Sequence, residues 1–304
     1  MEFVTLSIFS KMLLLGSKRI IENRKKIDAI NIFPVADSDT GSNLANTFLG
    51  LGQILESKSF ANSNKLVGKV IESVFANSRG NSGIMMASYL KGFLTSLKEK
   101  DKFFLEDFAK ASKTGQDSAR SSIQKPVSGA MLDVMEAFSS SLATKEVNGS
   151  FTDAFYKATQ KAKSALLGTK KKLKVLEANN VVDAGALGFT FFVYGFYEGL
   201  SDKSLELTGI NIKPKVSNKE GDIGKFPHEV VFTVRNTLFK VEQIREILSP
   251  MGDCLEIIEM EEKVKIHIHT DKPEVVRETA SLAGKVVDIR IMDMRLEKKL
   301  NHES

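Results

Sequence analysis

Cysteine is nearly absent: Cys254 is the single thiol among 304 residues. One thiol cannot close an intramolecular disulfide, so the expected environment is reducing and cytoplasmic. A secretory leader is not expected either. The opening MEFVTLSIFSKMLLLGSKRI is apolar, but Glu2 stands where positive charge belongs, Lys11 interrupts the run and no small-residue cleavage site follows. Leu6, Phe9, Leu13 and Ile20 instead fit one stripe of an amphipathic helix. Long hydrophobic runs are few. Only Val181 to Leu200 approaches the length of a membrane span, and it carries Asp183, Glu198 and four glycines. It reads as a buried core helix, with no integral membrane segment expected. Lysine clusters such as KKKLK (Lys170 to Lys174) lack interleaved aromatics, so the net charge of +5 is assigned to solvated helix faces and no nucleic-acid partner is expected. Internal repeats are absent.

What is present divides into two rhythms. The length suits two domains rather than one core. Residues 1–200 show helical periodicity and almost no strand-like alternation. Leu44, Phe48, Leu51 and Leu55 form one stripe; Val67, Val70, Ile71 and Val74 a second; Met86, Tyr89, Leu90, Phe93 and Leu97 a third. Further helices are expected near Leu105–Ser118, Gly129–Ala143, Phe151–Leu167 and Gly185–Leu200, about eight in all, as a bundle or barrel. Residues 201–227, rich in Gly, Pro, Ser and charge, read as a linker. Residues 228–304 then give the order β-α-β-β-α-β of a small ferredoxin-like α+β domain.

Four polar, glycine-containing stretches each open an apolar helix. In NIFPVADSDTGSNL, Asp37 and Asp39 stand one residue apart on a loop expected just before a helix. A helix N-terminus favours phosphate, which two carboxylates would repel. Magnesium resolves the conflict, because it is held by one or two carboxylates plus phosphate oxygens, and Asn31 can add a further oxygen. The plainer alternative is that Asp39 or Thr40 caps the helix. In ANSRGNSGIMMASYLKGF a loop is expected between a helix ending near Asn77 and one beginning near Ile84. Gly80 and Gly83 would let backbone approach a ligand, and Ser82 with the N–H groups near Gly83 would cradle phosphate. The Gly-Lys-Ser/Thr ending of a Walker loop is missing. In QKPVSGAMLDV, Gly129 precedes a helix. In NNVVDAGALGF, Asp183 precedes Gly185 and is either a cap or an acid at a nucleotide pocket. If the helices run up and down, these loops gather on one rim.

In this order the four motifs resemble those of the nucleotide-binding domain shared by dihydroxyacetone kinases and bacterial fatty acid kinases. The chain is more similar to the catalytic, ATP-binding subunit of fatty acid kinase, whose middle domain VKIHIHTDKPEVV also resembles. The resemblance implies an eight-helix barrel that binds ATP or ADP with magnesium. It makes Asp37 and Asp39 the catalytic metal ligands, with Asn31 beside them. It places Thr40, Gly41, Ser42, Asn43, Asn81, Ser82, Gly83, Gly129, Asp183 and Gly185 around the nucleotide. It implies transfer of the γ-phosphate to a fatty acid held by a separate fatty-acid-binding carrier protein, giving an acyl phosphate for phospholipid synthesis. A homodimer is compatible with it. Two other readings stay open: a nucleotide-binding module without turnover, and a dihydroxyacetone-type kinase subunit, in which the second domain has no place. Three departures stand out. Ser128 and Ala130 replace an acid and a threonine; Ser38 replaces the glycine between the acids; and a C-terminal domain expected for docking the carrier is not among these residues.

The second domain suggests another metal. In KVKIHIHT, His267 and His269 alternate with Val264, Ile266 and Ile268, so both point to the outward face of a strand. Glu229 is expected to point the same way on the neighbouring strand, and with the histidines it could bind zinc. The resembling family has cysteine at Glu229, His228 is a rival ligand, and a pair of solvated histidines is the alternative. Cys254 is expected to be a small buried residue.

Overall fold

Phenylalanine organises the first two hundred residues. In the computed structural model, which describes residues 2–56, 60–144, 150–214 and 225–296, the rings of Phe9, Phe93, Phe103, Phe108, Phe151, Phe155 and Phe196 interlock at the centre of a helical domain. Around them pack α1 (Leu6–Asp28), α2 (Thr40–Thr47), α3 (Leu51–Glu56), α4 (Ser63–Asn77), α5 (Gly80–Thr95), α6 (Leu105–Ser122), α7 (Met131–Ala143), α8 (Phe151–Lys172), α9 (Lys174–Asn179) and α10 (Ala184–Ser201). Two two-residue strands, β1 (Val4–Thr5) and β2 (Lys102–Phe103), pair antiparallel beside α1 and are the exception to the all-helical expectation.

Helix α10 is almost entirely buried, and two of its glycines let α1 lie against it. A Cβ at Gly195 would stand 2.2 Å from the Leu15 carbonyl oxygen, and one at Gly199 would stand 2.5 Å from Met12 Cα. No helix among the described residues is long and apolar enough to cross a membrane. The stripe from Leu44 to Leu55 belongs to two helices rather than one. Phe48 ends α2, and Gly50, at φ +79°, turns the chain before α3.

The second domain contains β3 (His228–Arg235), α11 (Val241–Leu248), a 3-10 turn (Ser249–Met251), β4 (Asp253–Met260), β5 (Lys263–Thr270), α12 (Pro273–Ala280) and β6 (Lys285–Asp293). Its antiparallel sheet runs β4-β5-β3-β6, the ferredoxin-like order. One face, with Val230, Phe232, Val234, Val264, Ile266 and Ile268, packs on α11 and α12 as a core of its own.

The other face is polar and meets the helical domain. Lys265 Nζ donates to the Phe75 and Ala76 carbonyls at the end of α4, at 2.7 and 2.9 Å. Arg245 Nη2 donates to the Ser121 carbonyl at 2.9 Å, and the Gln124 amide to the Leu255 carbonyl at 3.2 Å. Ile258 joins the helical core. The expected linker is partly strapped down: Leu205, Leu207 and Ile210 pack against that core, and Arg19 Nη2 donates to the Leu205 carbonyl at 3.1 Å. The rest of that linker, 215–224, and the chain end, 297–304, lie outside the described residues.

Candidate active site

The loop between α1 and α2 is held by polar side chains from its own ends. Asn31, buried, donates from Nδ2 to the Val35 carbonyl at 2.7 Å and accepts the Thr40 amide on Oδ1 at 2.8 Å. Asn31 therefore caps α2, while Asp39, at the N-cap position, makes no capping bond; its Oδ2 accepts from Asn43 Nδ2 at 2.7 Å. Sequence reasoning missed Asp28. Its carboxylate accepts the Ser42 amide at 3.0 Å and the Ser42 hydroxyl at 2.9 Å, with burial pushing its pKa up and those bonds opposing the rise. Between the two acids Ser38 takes φ +60°, a left-handed backbone that glycine adopts without penalty. Ser38→Gly is expected to stabilise the chain by about 0.5–1 kcal/mol, read as a shift in the urea midpoint. A decrease would mean that the serine side chain compensates for its backbone.

The second motif differs from expectation. Helix α5 begins at Gly80, so Asn81, Ser82 and Gly83 are its first turn rather than a loop before Ile84. Gly80, at φ +57°, lies so close to Asn43 that a Cβ would stand 2.2 Å from its Nδ2. Gly41 and Gly83 serve packing: a Cβ at Gly41 would meet the Arg24 carbonyl oxygen at 2.2 Å, and one at Gly83 would meet Thr47 Oγ1 at 2.8 Å. Gly129, at φ +93°, donates its amide to Asp133 Oδ2 at 2.9 Å, and Lys172 holds the same oxygen at 2.5 Å. Asp183 both caps and lines: its Oδ1 accepts the Ala186 amide at 2.7 Å, and burial pushes its pKa up to about 7.

These loops meet at one cavity of about 390 Å³. Asn31, Asp37, Asp39, Thr40, Asn43, Asn81, Ser82, Asp183 and Gly185 all line it. Gly41, Ser42, Gly83 and Gly129 do not; they shape the elements that do. The wall that sequence reasoning did not foresee is the second domain: Glu229, Asp253, Cys254, Glu256, His267 and His269 face the same space. Lys125 and Met131, from the helical domain, are among its other lining residues. On the helical side, Asn81 Oδ1 of α5 is a buried acceptor with no hydrogen-bond donor among the described residues.

The histidines are therefore not solvated. His267 is wholly buried and His269 is 4% exposed, because the face that looks outward from the small domain is covered by the helical one. His267 Nδ1 lies 3.0 Å from the Cys254 carbonyl, which can only accept, so the proton sits on Nδ1. Its Nε2 is 3.1 Å from Glu229 Oε1. Burial raises the Glu229 pKa, yet the adjoining His267, His269 and Arg290 hold it below the usual range. Burial, with His267 beside it, lowers His269 to about 3. Cys254 is half-buried rather than a core residue. Its thiol, pushed up to about 12 by burial and by Asp253, gathers with Asp253 and His269 so that their ligand atoms lie within 4.8 Å of one another. Glu256 is buried with its pKa well raised, chiefly by burial, and its Oε2 has no hydrogen-bond partner. His228 pairs with Thr270 at the strand end and is not among the residues facing the cavity.

Comparison with known proteins follows the same division. Residues 34–198 match the DAK2 domain family, and residues 225–300 match the FakA-like middle domain of fatty acid kinase. Protein YloV of Bacillus subtilis is 27% identical over 94% of this chain and 55% of its own length. An uncharacterised protein of Staphylococcus saprophyticus is 27% identical over 95% of this chain and 55% of its own length. The chain thus spans about half the length of the curated relatives it matches. Among solved structures, a dihydroxyacetone kinase from C. freundii, in complex with AMP-PNP and Mg2+, superposes with TM-score 0.50 at 16% identity, over 65% of this chain and 34% of that one. That likeness is one of fold. With the DAK2 match covering more than half of its residues, this chain belongs to the DAK2 domain family and carries behind that domain a FakA-like middle domain.

Proposed function

We propose that this chain is the ATP-binding subunit of a kinase that phosphorylates the carboxylate of a fatty acid presented by a separate carrier protein. The observation that carries the reading is the single cavity gathering Asp37, Asp39, Asn81 and Asp183 beneath two helix N-termini. Hard oxygen ligands on adjacent loop positions suit magnesium, and the orphaned Asn81 oxygen suits a ligand that brings a donor or a cation. Asp37 and Asp39 would hold the ion, which when bound neutralises polyphosphate charge. The chain's own part is positional. Asn31 fixes the loop, Asn43 orients Asp39, and Asp28 locks Ser42 so that the α2 N-terminus is rigid. An ionised carboxylate needs no strong base to attack phosphorus, so electrostatics and alignment are what remain for the protein to supply.

Calorimetric titration of ATP with and without magnesium tests this. The native chain should bind only with magnesium, and Asp37→Asn should weaken binding at least about tenfold, the effect of roughly 1.4 kcal/mol. Binding indifferent to both would withdraw the kinase reading.

A zinc ion in the second domain is supported by the His267 geometry. His267 Nε2 and Glu229 Oε1 stand 3.1 Å apart on the cavity wall with the His269 ring beside them, so a cation there would meet two imidazole nitrogens and a carboxylate. Glu229, His267 and His269 are the ligands proposed, with Asp253 and Cys254 adjoining His269. Metal analysis of the purified chain should return zinc at about one per chain; a metal-free protein would remove this ion from the account.

A further inference from the structure

A second, smaller cavity of about 110 Å³ adjoins the first. The two share Asp39, Asn43 and Glu229, so they meet across these side chains. The smaller one is also lined by Arg79, which precedes α5, and by Arg290 of β6, both of them exposed. Register explains how Arg290 arrives. It stands opposite Val231, and Met292 stands opposite Glu229, so the polar face of the sheet carries Arg290 to the edge of the helical domain.

Neither guanidinium has a carboxylate salt-bridge partner among the described residues. Arg290 Nη2 donates to the Met292 thioether at 3.4 Å, a weak acceptor, and its charge also acts on Glu229 across the notch. Arg79 lies near a second cation, Lys265, and helps hold the pKa of that amine below its usual value. Arg235, Arg277 and Arg295, by contrast, are each paired with an acid. Two cationic forks, with the Asp39 and Glu229 carboxylates also in the wall, thus line a space sized for one small anionic group, which meets the larger cavity across Asp39, Asn43 and Glu229.

We propose that this notch is the acceptor site, where Arg79 and Arg290 receive the carboxylate of the acid to be phosphorylated. The inference rests on the kinase reading above and adds where the second substrate sits. The planar guanidinium matches a carboxylate in a two-point contact. In the reaction one carboxylate oxygen forms a bond to the γ-phosphorus. The bond from that phosphorus to the β,γ-bridging oxygen breaks, and ADP leaves with the electron pair. No proton moves, so the acceptor site needs cations and no base. Approach from the notch brings the carboxylate past Asp39, whose negative charge a bound cation would offset. The arginines hold the nucleophile while contributing nothing to the nucleotide cavity, where neither is a lining residue.

The test uses octanoate as the acceptor probe and phenylglyoxal as an arginine reagent, with the chain saturated by Mg-ADP and modified peptides read by mass spectrometry. Octanoate should slow modification of Arg79 and Arg290 together and leave Arg277 unchanged. Arg290→Gln should weaken the protection of Arg79 about tenfold, the worth of one charge-assisted contact, while Mg-ADP affinity stays the same. Equal modification rates with and without octanoate overturn the proposal. So does protection seen only when Mg-ADP is left out, since the probe would then lie in the nucleotide cavity. If Mg-ADP binds and octanoate protects nothing, only the acceptor site falls. If Mg-ADP does not bind at all, the acceptor role falls together with the kinase reading.

Discussion

Phe108→Ala is expected to cost about 3–5 kcal/mol, the range for deleting a fully buried aromatic ring. Phe108 is wholly buried on α6 and touches six other rings: Phe151 and Phe155 edge-on at 5.5 and 5.3 Å, and Phe9, Phe93, Phe103 and Phe196 between 5.8 and 6.2 Å. Edge-to-face contacts of this kind add about 0.5–1.5 kcal/mol per pair to the burial of the ring itself. The surrounding rings come from α1, α5, β2, α8 and α10, so a void there loosens five elements at once. Neighbouring rings anchored on separate helices cannot collapse into it cheaply. Urea denaturation measures the loss. Phe108→Leu should lose less, because part of the volume is retained. A loss below about 1 kcal/mol for alanine would mean that the core closes over the gap, contrary to rigid packing.

Much of this core was legible in the sequence, because a helical stripe is a local pattern with a local cause. Leu6, Phe9, Leu13 and Ile20 announced α1, and the alternation around His267 announced β5. The stripe from Leu44 to Leu55 misled for a physical reason: both short helices direct their apolar residues into one core, so the turn at Gly50 scarcely disturbs the period. The acids at Asp37 and Asp39 were visible as chemistry, whereas their bracing by Asn31 and the locking of Ser42 by Asp28 depend on side chains up to fourteen residues away. Cys254 was beyond reading. The pairing of β4 with β5 shifts register between Asp253 and Glu256, and Cys254 takes φ +51°, so strand alternation fails at that residue. The burial of His267 and His269 was equally hidden. Alternation says which face a residue takes; only the docking of two domains says what covers that face.

That docking gives the second large prediction. Lys265→Met is expected to cost about 2–4 kcal/mol, because it strands backbone acceptors rather than because it deletes a charge. Lys265 is 6% exposed, and burial, with Arg79 nearby, lowers its pKa to about 8. Its amine supplies hydrogen bonds that the last turn of α4 cannot make within the helix, at the carbonyls of Phe75 and Ala76. Methionine keeps the apolar stem against Phe75 and leaves both oxygens without that donor. The consequence reaches function, because β5 carries His267 and His269 into the cavity from the same face. Weakening the α4 contact frees that wall, so Mg-ATP should bind more weakly in Lys265→Met than in the native chain. Lys263→Met, at the first residue of the same strand, should change stability by no more than about 0.5 kcal/mol. Equal losses from the two substitutions would show that charge on β5, and not the capping of α4, holds the domains together. A stable Lys265→Met with native Mg-ATP affinity would mean that the helical domain builds the nucleotide site alone.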